Sequence, residues 1–139
     1  MLPDNVRKFV SDNHRAVLTT FRHNGSAQMS IVTTGAYRDG VAFTTTSDRA
    51  KLANLKRNLR CSLLVSRESW WEYVVLEGRA RIMSSDNTKA EELSEALRGV
   101  YRAATGVEHP DWNEYDQAMR DDRRSAVIVV AEHVYGMTT

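Results

Sequence analysis

The chain has 139 residues and a mass of 15.8 kDa, enough for one domain with a substantial buried core. Hydrophobic residues make up 42% and charged residues 27%, ordinary values for a globular protein. A formal net charge of +1 argues against bulk electrostatic attraction to nucleic acid or to a membrane surface.

The amino-terminal Met-Leu-Pro-Asp-Asn lacks a basic stretch followed by an apolar run, so no signal peptide is expected. No apolar run approaches the roughly 18 residues that span a bilayer. The single Cys61 has no internal partner and fits a reducing cytoplasm. Pro3-Asp4 opens a short helix with Val6, Phe9 and Val10 on one face. Residues 16–21 read as a strand, and His23-Asn24-Gly25-Ser26 as a hairpin turn. A second strand is predicted over 28–36 and a third over 41–45, joined by Arg38-Asp39-Gly40.

Positive charge then concentrates. From Asp48 to Arg60 there are five basic residues against one acid, leaving 14 basic and 17 acidic residues in the rest of the chain. Leu52, Leu55 and Leu59 recur at i, i+3 and i+7, the stripe of a helix, with Ser47 or Asp48 as its N-cap. Arg49 and Lys51 would then sit in the first turn, where free N–H groups already make the potential positive. Cations there are unfavourable alone, and an anionic ligand reverses the sign. The same segment also reads as a solvated basic helix face.

Strands follow at 61–66 and 73–83, then a helix capped by Asp86-Asn87-Thr88 and running to about 104. A helix over 111–120 leads to a last strand, 126–135. Six strands in hairpin-like succession, with helices between them, point to a closed or split antiparallel barrel. Strict βα alternation is absent, so a doubly wound parallel sheet fits poorly.

Motifs for side-chain catalysis are missing. Neither GxxxxGK[ST] nor GxGxxG occurs. His14, His23, His109 and His133 stand far apart, and none shares metal-ligand spacing with Cys61, so no metal site is expected. Cys61 opens an apolar strand and reads as a buried structural thiol. Asp121-Asp122-Arg123-Arg124 reads as a solvated helix end, and Glu91, Glu92 and Glu95 as a helix surface opposite Leu93, Ala96, Leu97 and Val100. An anion cradle without nucleophile, base or metal suits a cofactor that carries the chemistry. Small and polar residues alternating over Ser26 to Val32 would let a flat ring approach the backbone, although the same pattern describes a plain half-buried strand.

Several segments carry a resemblance: NGSAQMS (24–30), RAKLANLKRNLRCSLLV (49–65), WWEYVVLEGRA (70–80), VYRAATGVEHPDWNEYDQAMRDDRR (100–124) and HVYG (133–136). Together they resemble the split β-barrel flavin and deazaflavin reductases related to pyridoxamine 5'-phosphate oxidase, and within these the small F420-binding branch. The resemblance implies a mainly β chain with helices (α+β), a single domain over 1–139, and an antiparallel split barrel of six to seven strands. It further implies a homodimer with the cofactor between subunits and a small-molecule substrate, while the cysteine usage and net charge point to a cytoplasmic protein with no nucleic-acid or membrane partner.

By the same resemblance Arg49, Lys51 and Asn54 contact the phosphate or acidic tail of coenzyme F420, Arg57 adds long-range attraction, and Thr44 and Ser47 donate to the same anion. The deazaflavin ring rests against Gln28, Met29, Ser30, Ile31 and Val32, with Trp71 or Tyr73 of a second subunit flanking it; dimer packing is the more economical reading of those aromatics. The implied activity is hydride transfer from reduced F420 to an unsaturated small molecule. No residue stands out as its general acid, Tyr73 and Tyr135 being the nearest by type. An FMN-binding oxidase-like flavoprotein and a carrier without turnover are the alternatives.

Overall fold

The computed structural model describes residues 2–136. Helix α1 (Asp4–Asp12) buries Val6, Phe9 and Val10, the face its spacing predicts. Strands β1 (Arg15–Phe21) and β2 (Ala27–Thr33) form a hairpin whose turn places Gly25 at φ +87°, a conformation open to glycine at little steric cost. Strands β3 (Gly35–Tyr37) and β4 (Gly40–Thr45) form a second hairpin. Helix α2 (Ala50–Arg57) leads to β5 (Arg60–Ser66) and β6 (Tyr73–Met83). Helices α3 (Ala90–Thr105) and α4 (Trp112–Asp121) precede the last strand, β7 (Ser125–Gly136).

All strand pairs are antiparallel, in the order β2-β1-β5-β6-β7-β4-β3, a curled sheet that with four helices makes an α+β split barrel. There are seven strands where periodicity marks six, because 28–36 is two. Thr34 interrupts the run: its N–H donates to the His14 carbonyl, and Gly35 pairs with Ala42 of β4. The chain therefore crosses from one sheet edge to the other within two residues.

The concave face is filled by Leu18, Phe43, Leu63, Leu76 and Val129, with α1 and the Leu52–Leu55 face of α2 packed against them. On the far side α3 and α4 cover Ala42 and Ile128 with Leu93, Leu97, Val100 and Tyr115. Gly35 seats α3: a Cβ there would lie 2.2 Å from the Ala103 carbonyl carbon and oxygen. The Tyr115 hydroxyl donates to the Leu97 carbonyl at 2.8 Å, tying α4 to α3.

One predicted cap and one predicted helix end differ. Helix α3 starts at Ala90 with Lys89 as an extended N-cap and no side-chain cap bond. Asn87 instead accepts from the Ser84 N–H and donates to the Ile82 carbonyl, closing the turn after β6. The stripe of α2 also stops short: the helix ends at Arg57, and Leu59 is 42% exposed. Its carbonyl accepts from the Ala80 N–H, so Leu59 already continues into the β5–β6 ladder.

Candidate functional site

The sheet register builds the site. Strand β4 pairs with β7 so that Thr44 faces Ala126 and Thr45 faces Ser125. Arg124, the residue before β7, is thereby brought to the end of β4, where its guanidinium donates to Thr44 Oγ1 at 3.2 Å. Beyond β4 the Thr46 hydroxyl donates to the Asp48 carboxylate at 2.7 Å, and the Arg49 N–H donates to the Thr46 carbonyl. Asp48 is thus held by the turn and does not cap α2. Its N-cap position is Arg49, extended and without a side-chain cap bond, and no acid lies in the first turn. The expected Ser47 or Asp48 cap is replaced by an uncapped, positive helix start.

Between this helix start, the end of β4 and residues 31–33 of β2 lies a cleft of about 360 Å3 with a mainly polar wall. Arg49, Lys51 and Arg124 all line it, and no carboxylate does. Burial, then the Arg49 and Arg124 charges, hold the Lys51 ammonium below its usual pKa. Arg124 Nε is buried and has no hydrogen-bond partner among the described residues. Its nearest anion, Asp122 Oδ2, is 3.9 Å away, beyond hydrogen-bond reach. A buried donor without an acceptor is costly, and three converging cations raise that cost. An oxyanion such as a phosphate or carboxylate relieves both.

Of the twelve residues marked from sequence, Thr44, Arg49, Lys51, Ile31 and Val32 line this cleft. The others fall elsewhere. Ser47 is exposed in the turn and lines a shallower depression with Asp121 and Asp122. Asn54 is 6% exposed: its amide N–H donates to Thr20 Oγ1 at 3.1 Å and Gln28 Oε1 at 3.0 Å, and its carbonyl accepts from Arg57 at 2.8 Å. Asn54 and Gln28 therefore brace α2 against the β1–β2 hairpin. Arg57 turns to the far end of α2, donating to the Phe21 carbonyl and lining a separate depression with Arg22 and Arg60. Alternation on β2 sends Met29 outward, 68% exposed, and leaves Ser30 half-buried on the opposite face. Trp71 is 80% exposed in the β5–β6 turn and does not line the cleft of its own chain. Tyr73 and Tyr135 do not line it either.

Arg124 is the residue that sequence reasoning missed. It reads as part of a charged helix end, and only the β4–β7 register reveals its place. The signal lies in two basic residues directly before a strand, which becomes informative once that strand is known to pair with the one preceding the basic helix.

Cys61 is buried, and its thiol is pushed up to about 12 by that burial, so it is not a nucleophile at neutral pH. Among the described residues no three His, Cys, Asp or Glu side chains cluster to hold a metal ion, and no helix is long and apolar enough to cross a membrane.

Comparison with known proteins places the chain in a family. The family model described as pyridoxamine 5'-phosphate oxidase matches residues 2–138. The chain belongs to that family. Among solved structures, a conserved hypothetical protein of Mycobacterium tuberculosis aligns over 99% of this chain and 85% of its own, with a TM-score of 0.80 and 20% identity. An F420 reductase aligns over 96% of this chain and 98% of its own, with a TM-score of 0.66 and 19% identity. The General Stress Protein 26 of Bacillus anthracis aligns over 96% and 94%, with a TM-score of 0.63 and 12% identity. At these identities the structures share the fold. Membership makes the chain an oxidoreductase-like member of a family that binds flavin-type cofactors.

Proposed function

We propose that this protein is a coenzyme F420-dependent reductase that passes a hydride to an unsaturated small molecule. The observation that carries the reading is the cleft in which Arg49, Lys51 and Arg124 converge without a carboxylate and Arg124 Nε lacks an acceptor. The donor set fits an anionic cofactor: Arg49, Lys51 and Arg124 would hold its phosphate, with Thr44 steadying Arg124 and able to turn its hydroxyl to the same anion. Ile31 and Val32, on the cleft wall, would support the ring. F420 bound there supplies a two-electron hydride from C5 of its central ring.

The protein's part is to orient that ring and to exclude water from it. No acid lines the cleft, so the accompanying proton is assigned to solvent. Arg57, at the far end of α2, is left with long-range attraction for an acidic tail. Asn54 and Gln28 brace α2 against the β1–β2 hairpin and do not contact the anion.

The homodimer belongs to the same proposal. Strand register aligns Ile31, Val17, Leu64, Val75 and Tyr135 in one row across five strands on the convex face. Ile31 is 74% and Tyr135 48% exposed; Met29, two residues before Ile31 on β2, is 68% exposed, and Trp71 in the β5–β6 turn is 80% exposed. A two-fold partner on this row would bury it and bring its own Trp71 towards the cleft. Cytoplasmic residence accords with the single reduced Cys61.

The family match favours one second reading, an FMN-binding flavoprotein on the same cleft. Turnover separates the readings: reduced F420 mixed with a panel of enones and quinones should be oxidised at a rate proportional to protein. Oxidation of reduced FMN only would favour the flavoprotein, and F420 binding without turnover would favour a carrier.

A further inference from the structure

A second cavity, of about 250 Å3, lies on the other side of Arg124, between α3, α4 and the connection from β6. Its wall is mainly apolar, with Leu93, Leu97 and Met119 at its base. An apolar cavity of about 150 Å3 suffices to hold a benzene ring.

The rim has a different character. Arg120, Arg123 and Arg124 all reach it, and the one carboxylate present, Asp116, is taken by a bidentate pair with Arg98. Arg120 donates to Gln117 on its own helix, whereas the Arg123 side chain has no hydrogen bond or ion pair among the described residues. The end of α4 fixes these arginines. The Arg124 N–H donates to the Met119 carbonyl and the Arg123 N–H to the Arg120 carbonyl, a Schellman closure. Arg123 takes the left-handed position at φ 50°, where glycine is the unstrained residue. The closure holds Arg123 and Arg124 at the cavity mouth.

We propose that this cavity binds a small carboxylate with a compact apolar body, such as a ring acid the size of benzoate. The body would lie against Leu93, Leu97 and Met119, and the carboxylate between Arg120 and Arg123, whose planar donors match carboxylate geometry. The inference does not depend on which cofactor occupies the cleft, since Arg120 and Arg123 line this cavity and not the cleft.

Calorimetric titration of the full chain with benzoate, and with benzyl alcohol as a neutral analogue, tests it. Methyl NMR of Leu93, Leu97 and Met119 reports location. Benzoate should saturate one site, at least tenfold more tightly than the alcohol, and shift those methyls. The double variant Arg120→Gln/Arg123→Gly should weaken benzoate at least tenfold and leave the alcohol unchanged. Glycine suits the left-handed position, so this variant should keep the parent's thermal midpoint. Ser94→Phe, placed on the cavity wall, should abolish binding of both. Failure of benzoate to saturate, shifts confined to Ile31 and Val32, or undiminished affinity in the double variant would each overturn the proposal.

Discussion

Replacing Lys51 with Met separates a ligand-binding role from a structural one, because the two predict opposite signs. Without an anion, Lys51 shares its cleft with Arg49 and Arg124 and is partly desolvated, so its charge opposes folding. Methionine keeps most of the length and removes the charge, and the unliganded variant should be at least as stable as the parent. With an anion bound, the lost contact is a charge-assisted hydrogen bond contributing about 1.5–3 kcal/mol. At about 1.4 kcal/mol per tenfold, affinity should fall roughly 10- to 100-fold. The pH dependence follows the same sign. The folded pKa of Lys51 lies below its ordinary 10.5, so the folded state sheds the proton first. The parent should therefore gain stability, relative to the variant, as pH rises from the depressed folded value through 10.5. Scanning calorimetry between neutral pH and pH about 11, with and without phosphate, reads all three effects. A variant that loses thermal stability and anion affinity together would refute the reasoning.

The remaining predictions concern the scaffold and the assembly. Asn54→Ala removes one buried and one part-buried neutral hydrogen bond and one from exposed Arg57, and should cost about 2–3 kcal/mol in chemical denaturation. Anion affinity in that variant should stay within about twofold of the parent at saturating folded protein, and a large affinity loss at unchanged stability would make Asn54 a direct contact. Gly35→Ala forces a Cβ into the Ala103 backbone and should destabilise by more than about 3 kcal/mol; an unchanged midpoint would mean α3 is not seated on β3. Leu64→Glu places a charge in the middle of the convex apolar row and should yield monomer in light scattering where the parent gives dimer. A variant that still dimerises would move the interface elsewhere.

Local periodicity carried much of the fold. The Val6, Phe9 and Val10 spacing gives α1, and β6 spans the residues its alternation marks. What local pattern cannot carry is the partner of each segment. Thr33 to Ala36 are strand-compatible throughout, yet a tertiary bond from Thr34 to His14 splits them between two sheet edges. Leu59 fits the helical stripe, but Asn58 is extended and the ladder with β6 claims the next residue. The site shows the same division. Arg49 and Lys51 are legible because charge concentrates around them, whereas Arg124 arrives from 75 residues beyond Arg49 through the β4–β7 pairing. Asn54 shows the converse: a polar residue in a basic motif reads as a ligand contact, and packing turns it inward against Thr20 and Gln28.

The central claim is that the cation cleft holds the acidic cofactor of a deazaflavin reductase. Titration of the purified protein with F420 and, separately, with FMN, followed by cofactor fluorescence, tests it most directly. The account predicts saturable F420 binding, tighter than FMN and weakened by Lys51→Met or Arg124→Gln. Tight FMN binding with no response to F420 would contradict it.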